Sequence, residues 1–198
     1  MKMFFTALML LATCSANAAL IDFTSESIGY KANGYTVSGV QLFDTMGSEL
    51  DVYDYGHQSH GNALAVNSDD QSQLKMIFSN VYSFLSLDFG NDDAGYSNAG
   101  DLAMLSLFLD GVNVGSTTVV LNRDDYMNQS ISLSGINFNS AIFAYVDATF
   151  NPINLIEVVD NISFDGIQSN VPESSSFILM MMGLLGVFLT RRRIKSNA

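Results

Sequence analysis

The chain has 198 residues, 20 acidic against 8 basic, and a single cysteine, Cys14. Between Leu20 and Asn170 there are 19 Asp and Glu against only Lys31, Lys75 and Arg123, a net charge of −16, which excludes a nucleic-acid partner because phosphate binding needs clustered Lys and Arg. The same stretch holds no cysteine, so disulfides, thiol nucleophiles and Cys-ligated zinc are excluded there too.

The first element, residues 1–18, is expected to be a signal peptide. It has Lys2 at its start, an apolar run from Phe4 to Ala12, and the small-residue pattern Ala16-Asn17-Ala18, which places cleavage after Ala18. The apolar run is too short to span a bilayer. Leu11-Ala12-Thr13-Cys14 also admits a lipoprotein reading, for which Thr13 is a poor fit.

From residue 20 to residue 168 the pattern is one of short apolar or alternating runs separated by Gly, Asn, Asp and Ser. In Phe84 to Phe89, the residues Leu85, Leu87 and Phe89 fall on one face and Ser86 and Asp88 on the other, the period of a half-buried strand. Similar runs are Ile21 to Phe23, Val37 to Phe43, Leu50 to Tyr53, Ala63 to Val66, Leu74 to Phe78 and Leu102 to Leu109. Further ones are Thr117 to Leu121, Ile131 to Leu133, Ala141 to Val146, Leu155 to Val159 and Ile162 to Phe164. Asp110-Gly111 between two runs predicts a tight hairpin turn. No stretch keeps helical periodicity over three turns, so the fold class is all-β, a single β-sandwich of jelly-roll type.

Three clusters in this domain invite chemistry. The oxygen-rich loop Gly90 to Gly95 suits calcium, although counting from Asp88 the twelfth position is Ala99 rather than the Glu of an EF-hand. His57 and His60, beside Tyr53, Asp54 and Tyr55, could contribute to zinc, but Gly56 and Gly61 make the segment a turn rather than the helix of a His-Glu-x-x-His site. Tyr53, Tyr55, Tyr96 and Tyr126 stand among Asp and Asn and could stack on sugar rings in a chain that has no Trp. Each could equally cap the core with its hydroxyl in water. No Gly-x-Ser-x-Gly elbow, phosphate-binding glycine loop or redox thiol pair occurs, so the domain is expected to be noncatalytic.

The C-terminus has three parts: a linker over residues 169–176 containing Val171-Pro172-Glu173-Ser174, an apolar segment over 177–190, and a basic tail over 191–198 with Arg191, Arg192 and Arg193. Thirteen apolar residues from Phe177 to Leu189 make a helix of about 20 Å, and its extension to Ser174 and Thr190 gives about 26 Å, close to the roughly 30 Å hydrocarbon core. The arginines would hold the tail in the cytoplasm and leave the acidic domain outside. An ordinary single-pass anchor has the same layout.

Val171, Pro172 and Glu173, the short Met/Leu/Gly-rich segment and the arginine cluster together resemble the PEP-CTERM sorting domain, with Ser174 where a second proline is usual. The resemblance implies an exosortase-type membrane protease as partner, a Gram-negative host, an inner-membrane intermediate, and delivery to the cell surface or the exopolysaccharide matrix. Ile21-Asp22-Phe23 and Val159 to Asp165 resemble the first and last strands of the β-sandwich domains found in such proteins and in carbohydrate-binding-module-like jelly rolls. That likeness implies a structural Ca²⁺ held by Asp22, Glu26 and Asp160. The expected function is an exported noncatalytic surface or matrix protein associated with exopolysaccharide. The alternatives are a carbohydrate-binding module using the tyrosines, and a polysaccharide-active enzyme.

Overall fold

The computed structural model describes residues 18–66 and 70–166. The sorting motif at Val171, Pro172 and Glu173, the expected helix over 177–190, and Arg191, Arg192 and Arg193 lie outside the described residues, as does the signal peptide apart from Ala18. Among the described residues no helix is long and apolar enough to cross a membrane.

The described chain is an all-β sandwich. Its strands in order are β1 (Ala18–Ile21), β2 (Gly29–Lys31), β3 (Tyr35–Val37), β4 (Val40–Asp44), β5 (Leu50–Asp54), β6 (Asn62–Val66), β7 (Leu74–Gly90), β8 (Leu102–Leu109), β9 (Val112–Val120), β10 (Gln129–Val146) and β11 (Val158–Gly166). A 3₁₀ turn, Gly56–Gln58, sits between β5 and β6. The Asp110-Gly111 hairpin forms as the sequence predicts: Leu109 faces Val112, and both turn residues have left-handed φ, 51° and 82°. That is the demand of a type I′ turn, which Gly meets freely and Asp tolerates. Ser38 and Gly39 do the same between β3 and β4, with φ of 48° and 78°, dividing the predicted Val37 to Phe43 run in two.

The main departure from the sequence reading is length. Leu74 to Phe78 and Phe84 to Phe89, expected as separate strands, are two ends of the 17-residue β7, and Ile131 to Leu133 and Ala141 to Val146 both belong to the 18-residue β10. In β7 the buried positions are even at Leu74, Met76 and Phe78 and odd at Leu85, Leu87 and Phe89. A strand that keeps going must lose one residue of phase between them, and the pairing with β10 shifts register between Ser134 and Ser140, on either side of Phe138. Periodicity alone reads such a bulge as a break.

These two strands organise the sheet. The first half of β7 pairs with β4 and with the second half of β10, which continues to β8 and β9. The second half of β7 pairs with the first half of β10 and with β11. The far edge of β11 carries β6 along Val158 and Val159 and β1 along Ile162 to Asp165, and β5 and β2 follow β6. Hydrogen bonding thus joins all eleven strands into one sheet, with a single main core filled from both halves. Phe78 packs edge-on against Phe138 and Phe164, each with centroids 5.2 Å away, at the bulge. Phe89, Phe143 and Tyr145 form a second ring cluster.

Candidate functional site

Three loops meet where β7 ends at Gly90. Tyr145 is fully buried and its hydroxyl donates to the Gly90 carbonyl. A side chain at Gly90 would lie 2.7 Å from the Gln58 carbonyl oxygen and 3.1 Å from the Met127 backbone, so only a glycine lets these segments close in. Met127 N–H then donates to the His57 carbonyl at 3.0 Å, joining the 3₁₀ turn to the loop before β10.

Asp92, 1% exposed, is the hub of that junction. Its two oxygens accept the Arg123 N–H at 2.6 Å and the Asp125 N–H at 3.0 Å. Both donors are non-glycine residues in left-handed backbone, with φ of 63° and 66°, a conformation that persists only where its surroundings impose it. The Arg123 guanidinium turns back onto the loop after β7, donating to the carbonyls of Ala94 at 3.0 Å and Ser97 at 2.8 Å. Asn122, Asp124 and Asn128 close the loop further. The Asn128 amide donates to Asp124 at 2.8 Å, and this bond, with the Tyr126 N–H, holds the Asp124 carboxyl below its usual range.

The residues displayed by this frame are aromatic and polar. Tyr126 is 54% exposed and its ring lies 4.8 Å from that of His57. His57 Nε2 contacts Asp125 Oδ2 at 2.8 Å, and the Gln58 amide donates to Asp125 Oδ1 at 2.7 Å. Tyr96 is exposed on the neighbouring loop that Arg123 braces. Tyr55 packs on a small second cluster of Ala63, Ala65, Met127 and Val158, which links it to the Tyr126 loop. Tyr53 and Tyr55 stand edge to face with centroids 6.3 Å apart. Burial, then the charge of Asp51, pushes the Tyr55 hydroxyl above its usual range. The four tyrosines named from sequence therefore fall into one pair at the end of β5, Tyr53 on the strand and Tyr55 just past it, and one loop pair, Tyr96 and Tyr126.

Sequence reasoning missed Tyr30, exposed on β2 and facing Asp51 across β5. It also missed Asp92 and Arg123 as the frame. The only signal for them was a lone Arg in a strongly acidic stretch.

A cleft of about 160 Å³ lies next to the loops, lined by His60, Asp88, Met127, Asn128, Gln129 and Ser130. Asp160, 1% exposed, faces Asp88 across β11 and β7, and burial pushes its carboxyl up to about 6. The Asn161 N–H and His60 oppose that rise, while Asp22 and Asp88 add to it. Of the three residues expected to hold calcium, β1 and β11 pairing brings Asp22 to Asp160, as Ile21 stands opposite Ile162. Glu26 is instead the acceptor of the Tyr35 hydroxyl. His57 and His60 are likewise divided, one to Asp125 and one to the cleft. Among the described residues no group of three or more His, Cys, Asp or Glu has metal-ligating spacing.

No family model matches the sequence, and no curated protein matches it. Solved structures do. The chain is similar to a DUF4465 family protein from Bacteroides caccae, at 12% identity and TM-score 0.40 over 75% of this chain and 98% of that one. It is similar to a cyclase from Fischerella sp. TAU at 12% identity and TM-score 0.42, over 75% of this chain and 97% of that one. A third likeness is the C-terminal family 22 carbohydrate binding module of Clostridium thermocellum Xyn10B, at 10% identity and TM-score 0.38, covering 76% of this chain and 93% of that one.

Proposed function

We propose that this is an exported, noncatalytic carbohydrate-binding protein of the cell surface or extracellular matrix. The observation that carries the binding function is Tyr126: a half-exposed ring backed by His57 and flanked by the Asp125 carboxylate and the Gln58 amide, on a loop fixed by Asp92. Sugar rings present apolar faces edged by hydroxyls, and a rigid aromatic plane beside carboxylate and amide groups complements both parts. Rigidity matters because a loop ordered only on binding would lose that affinity to entropy.

The test is a glycan array and titration with the full chain and with Tyr126→Ala and Tyr53→Ala. Saturable binding that weakens at least tenfold in Tyr126→Ala supports the reading, and unchanged binding in both variants removes the tyrosines from it. Absence of any saturable glycan binding returns the domain to a passive matrix component.

Delivery is proposed to follow the PEP-CTERM-like tail, with Val171, Pro172 and Glu173 read by an exosortase-type protease, residues 177–190 held in the inner membrane, and Arg191, Arg192 and Arg193 kept inside. The order of these segments in the sequence supports it. Intact mass of the protein from host membrane and medium tests it. A released form lacking both ends is expected, whereas a membrane form keeping the three arginines would make the tail a plain anchor.

A further inference from the structure

β2, β5 and β6 lie side by side, and their register gathers three tyrosines around one carboxylate. Tyr30 stands directly opposite Asp51, so the two side chains project to the same side. Tyr53, two residues on from Asp51, projects there too. Across the next ladder Ala65 faces Asp51 and Ala63 faces Tyr53, and Tyr55 packs on the small cluster that holds both alanines. The Tyr55 ring meets that of Tyr53 edge to face. A Cβ built on Gly29 would lie 3.9 Å from the Tyr53 hydroxyl, which therefore reaches over β2 beside Tyr30. Asp51 is thus bordered by tyrosines and, on β6, by nothing larger than alanine.

Two groups in this setting are unmatched. Asp51 is 8% exposed, and its Oδ1 and the Tyr55 hydroxyl are buried with no hydrogen-bond partner among the described residues. A buried carboxylate normally holds a cation or several donors, since leaving it unmatched is costly. Among the described residues none is supplied. Lys31 is paired with Leu50, gives its ammonium to Ser27 at 2.7 Å and lies over the Tyr35 ring. Arg123 is bound to the carbonyls of Ala94 and Ser97, and Lys75 sits on β7 between Phe43 and Ile142. Burial, then the charge of the exposed Glu49, pushes the Asp51 carboxyl above its usual range. Burial does the same to the Tyr55 hydroxyl, followed by Asp51, Tyr53 and Tyr30, which lie within its electrostatic reach. A cation placed among them would relieve both.

We propose that this face binds a protonated primary amine carried on a polysaccharide, so that the polymer recognised contains amino sugars with free amino groups. The ammonium donates to Asp51 Oδ1 and Tyr55 Oη and lies against the electron-rich rings of Tyr30 and Tyr53. It has three donors for two separate acceptors, whereas a quaternary amine has none and a guanidinium fork matches both oxygens of one carboxylate. Tyr30, 66% exposed, and Tyr53 make no hydrogen bond among the described residues. The ligand therefore reaches the buried oxygens by turning an outer ring aside, and that ring then stacks on the sugar. Charge supports the choice, since a stretch of net charge −16 repels acidic polymers and attracts cationic ones. The polymer rests on the glycan-binding reading; the amine rests on this face alone.

The experiment titrates the full chain, by calorimetry, with a glucosamine hexasaccharide and with its fully N-acetylated counterpart. In wild type the free-amine form should bind about tenfold more tightly, and Asp51→Asn, which keeps the shape of Asp51, should abolish that preference. Tyr30→Ala, at an exposed ring, should weaken the free-amine form about threefold. Asp110→Asn removes the same charge from the turn between β8 and β9 and should change binding by less than about twofold, which separates a site from general attraction. Equal binding of the two forms, or Asp51→Asn behaving like Asp110→Asn, overturns the proposal and leaves glycan binding at Tyr126 standing. Asp51-dependent binding of hexalysine without binding of the free-amine hexasaccharide would give the site to a protein and overturn it equally. No binding of either hexasaccharide overturns it as well, and the wider glycan reading is then judged by the array alone.

Discussion

Replacing Asp160 by Asn should stabilise the protein at neutral pH. Asp160 is buried between β11 and β7, with Asp88 opposite it and Asp22 and His60 as its other charged or titratable neighbours, and its carboxyl is raised from 3.8 to about 6. The folded state therefore holds this proton more tightly than the unfolded chain does. Its contribution is fully present below about pH 4 and is lost as pH rises through about 6. A gap of about two units at about 1.4 kcal/mol each gives about 3 kcal/mol of lost stability at pH 7. Asn cannot ionise, yet its carbonyl still accepts the Asn161 N–H that Asp160 Oδ1 takes at 2.7 Å. Urea unfolding in EDTA at pH 4, 5, 6 and 7 checks the expectation: the variant exceeds wild type by up to about 3 kcal/mol at pH 7, and the difference closes toward pH 4. A variant no more stable at pH 7, or an advantage independent of pH, refutes the reasoning.

A contrast of two glycines tests the closeness of the loop cluster. Gly90→Ala drives its Cβ into the Gln58 and Met127 backbones and should cost about 1–3 kcal/mol, whereas Gly115→Ala meets only the end of the Ile136 side chain and should cost far less; denaturant midpoints decide. Asp92→Ala leaves the Arg123 and Asp125 N–H groups without their acceptor, and should cost about 2–4 kcal/mol and weaken any glycan binding through Tyr126 as well. Gly111→Ala should cost about 1 kcal/mol in thermal unfolding, because φ is 82° at that turn position.

The sequence disclosed the fold class through local rules. Leu85, Leu87 and Phe89 alternate with Ser86 and Asp88, and all three apolar residues are buried. Asp110-Gly111 makes the predicted turn because its conformational demand is confined to two residues. What could not be read depends on partners distant in sequence. The phase slip in β7 is tolerated only because β10 carries a matching irregularity some 60 residues away, around Phe138. Nothing local in the sequence marks Arg123, whose role is fixed by the carbonyls of Ala94 and Ser97 on another loop. The tyrosines were nominated by polar surroundings alone, so their division into a pair at the end of β5 and a loop pair had no sequence signature.

The placement of β11 has a mechanical consequence. Val158 begins it opposite Gly90, beneath the loops that display Tyr126, and the chain leaves at its other end near Gly166, opposite Tyr82. The nine residues of β11 span those points, about 27 Å of extended chain. If a polymer pulls on the loops while the C-terminal segment is held, the load runs along β11 itself. Its ladders to β7 on one side and to β6 and β1 on the other are then strained lengthwise. Many hydrogen bonds must give way together under such shear, whereas tension between Ala18 and Asp165, which face each other, would open β1 one rung at a time. Tension between the Val158 end and Gly166 is thus met by many rungs at once, and tension between Ala18 and Asp165 by one rung at a time.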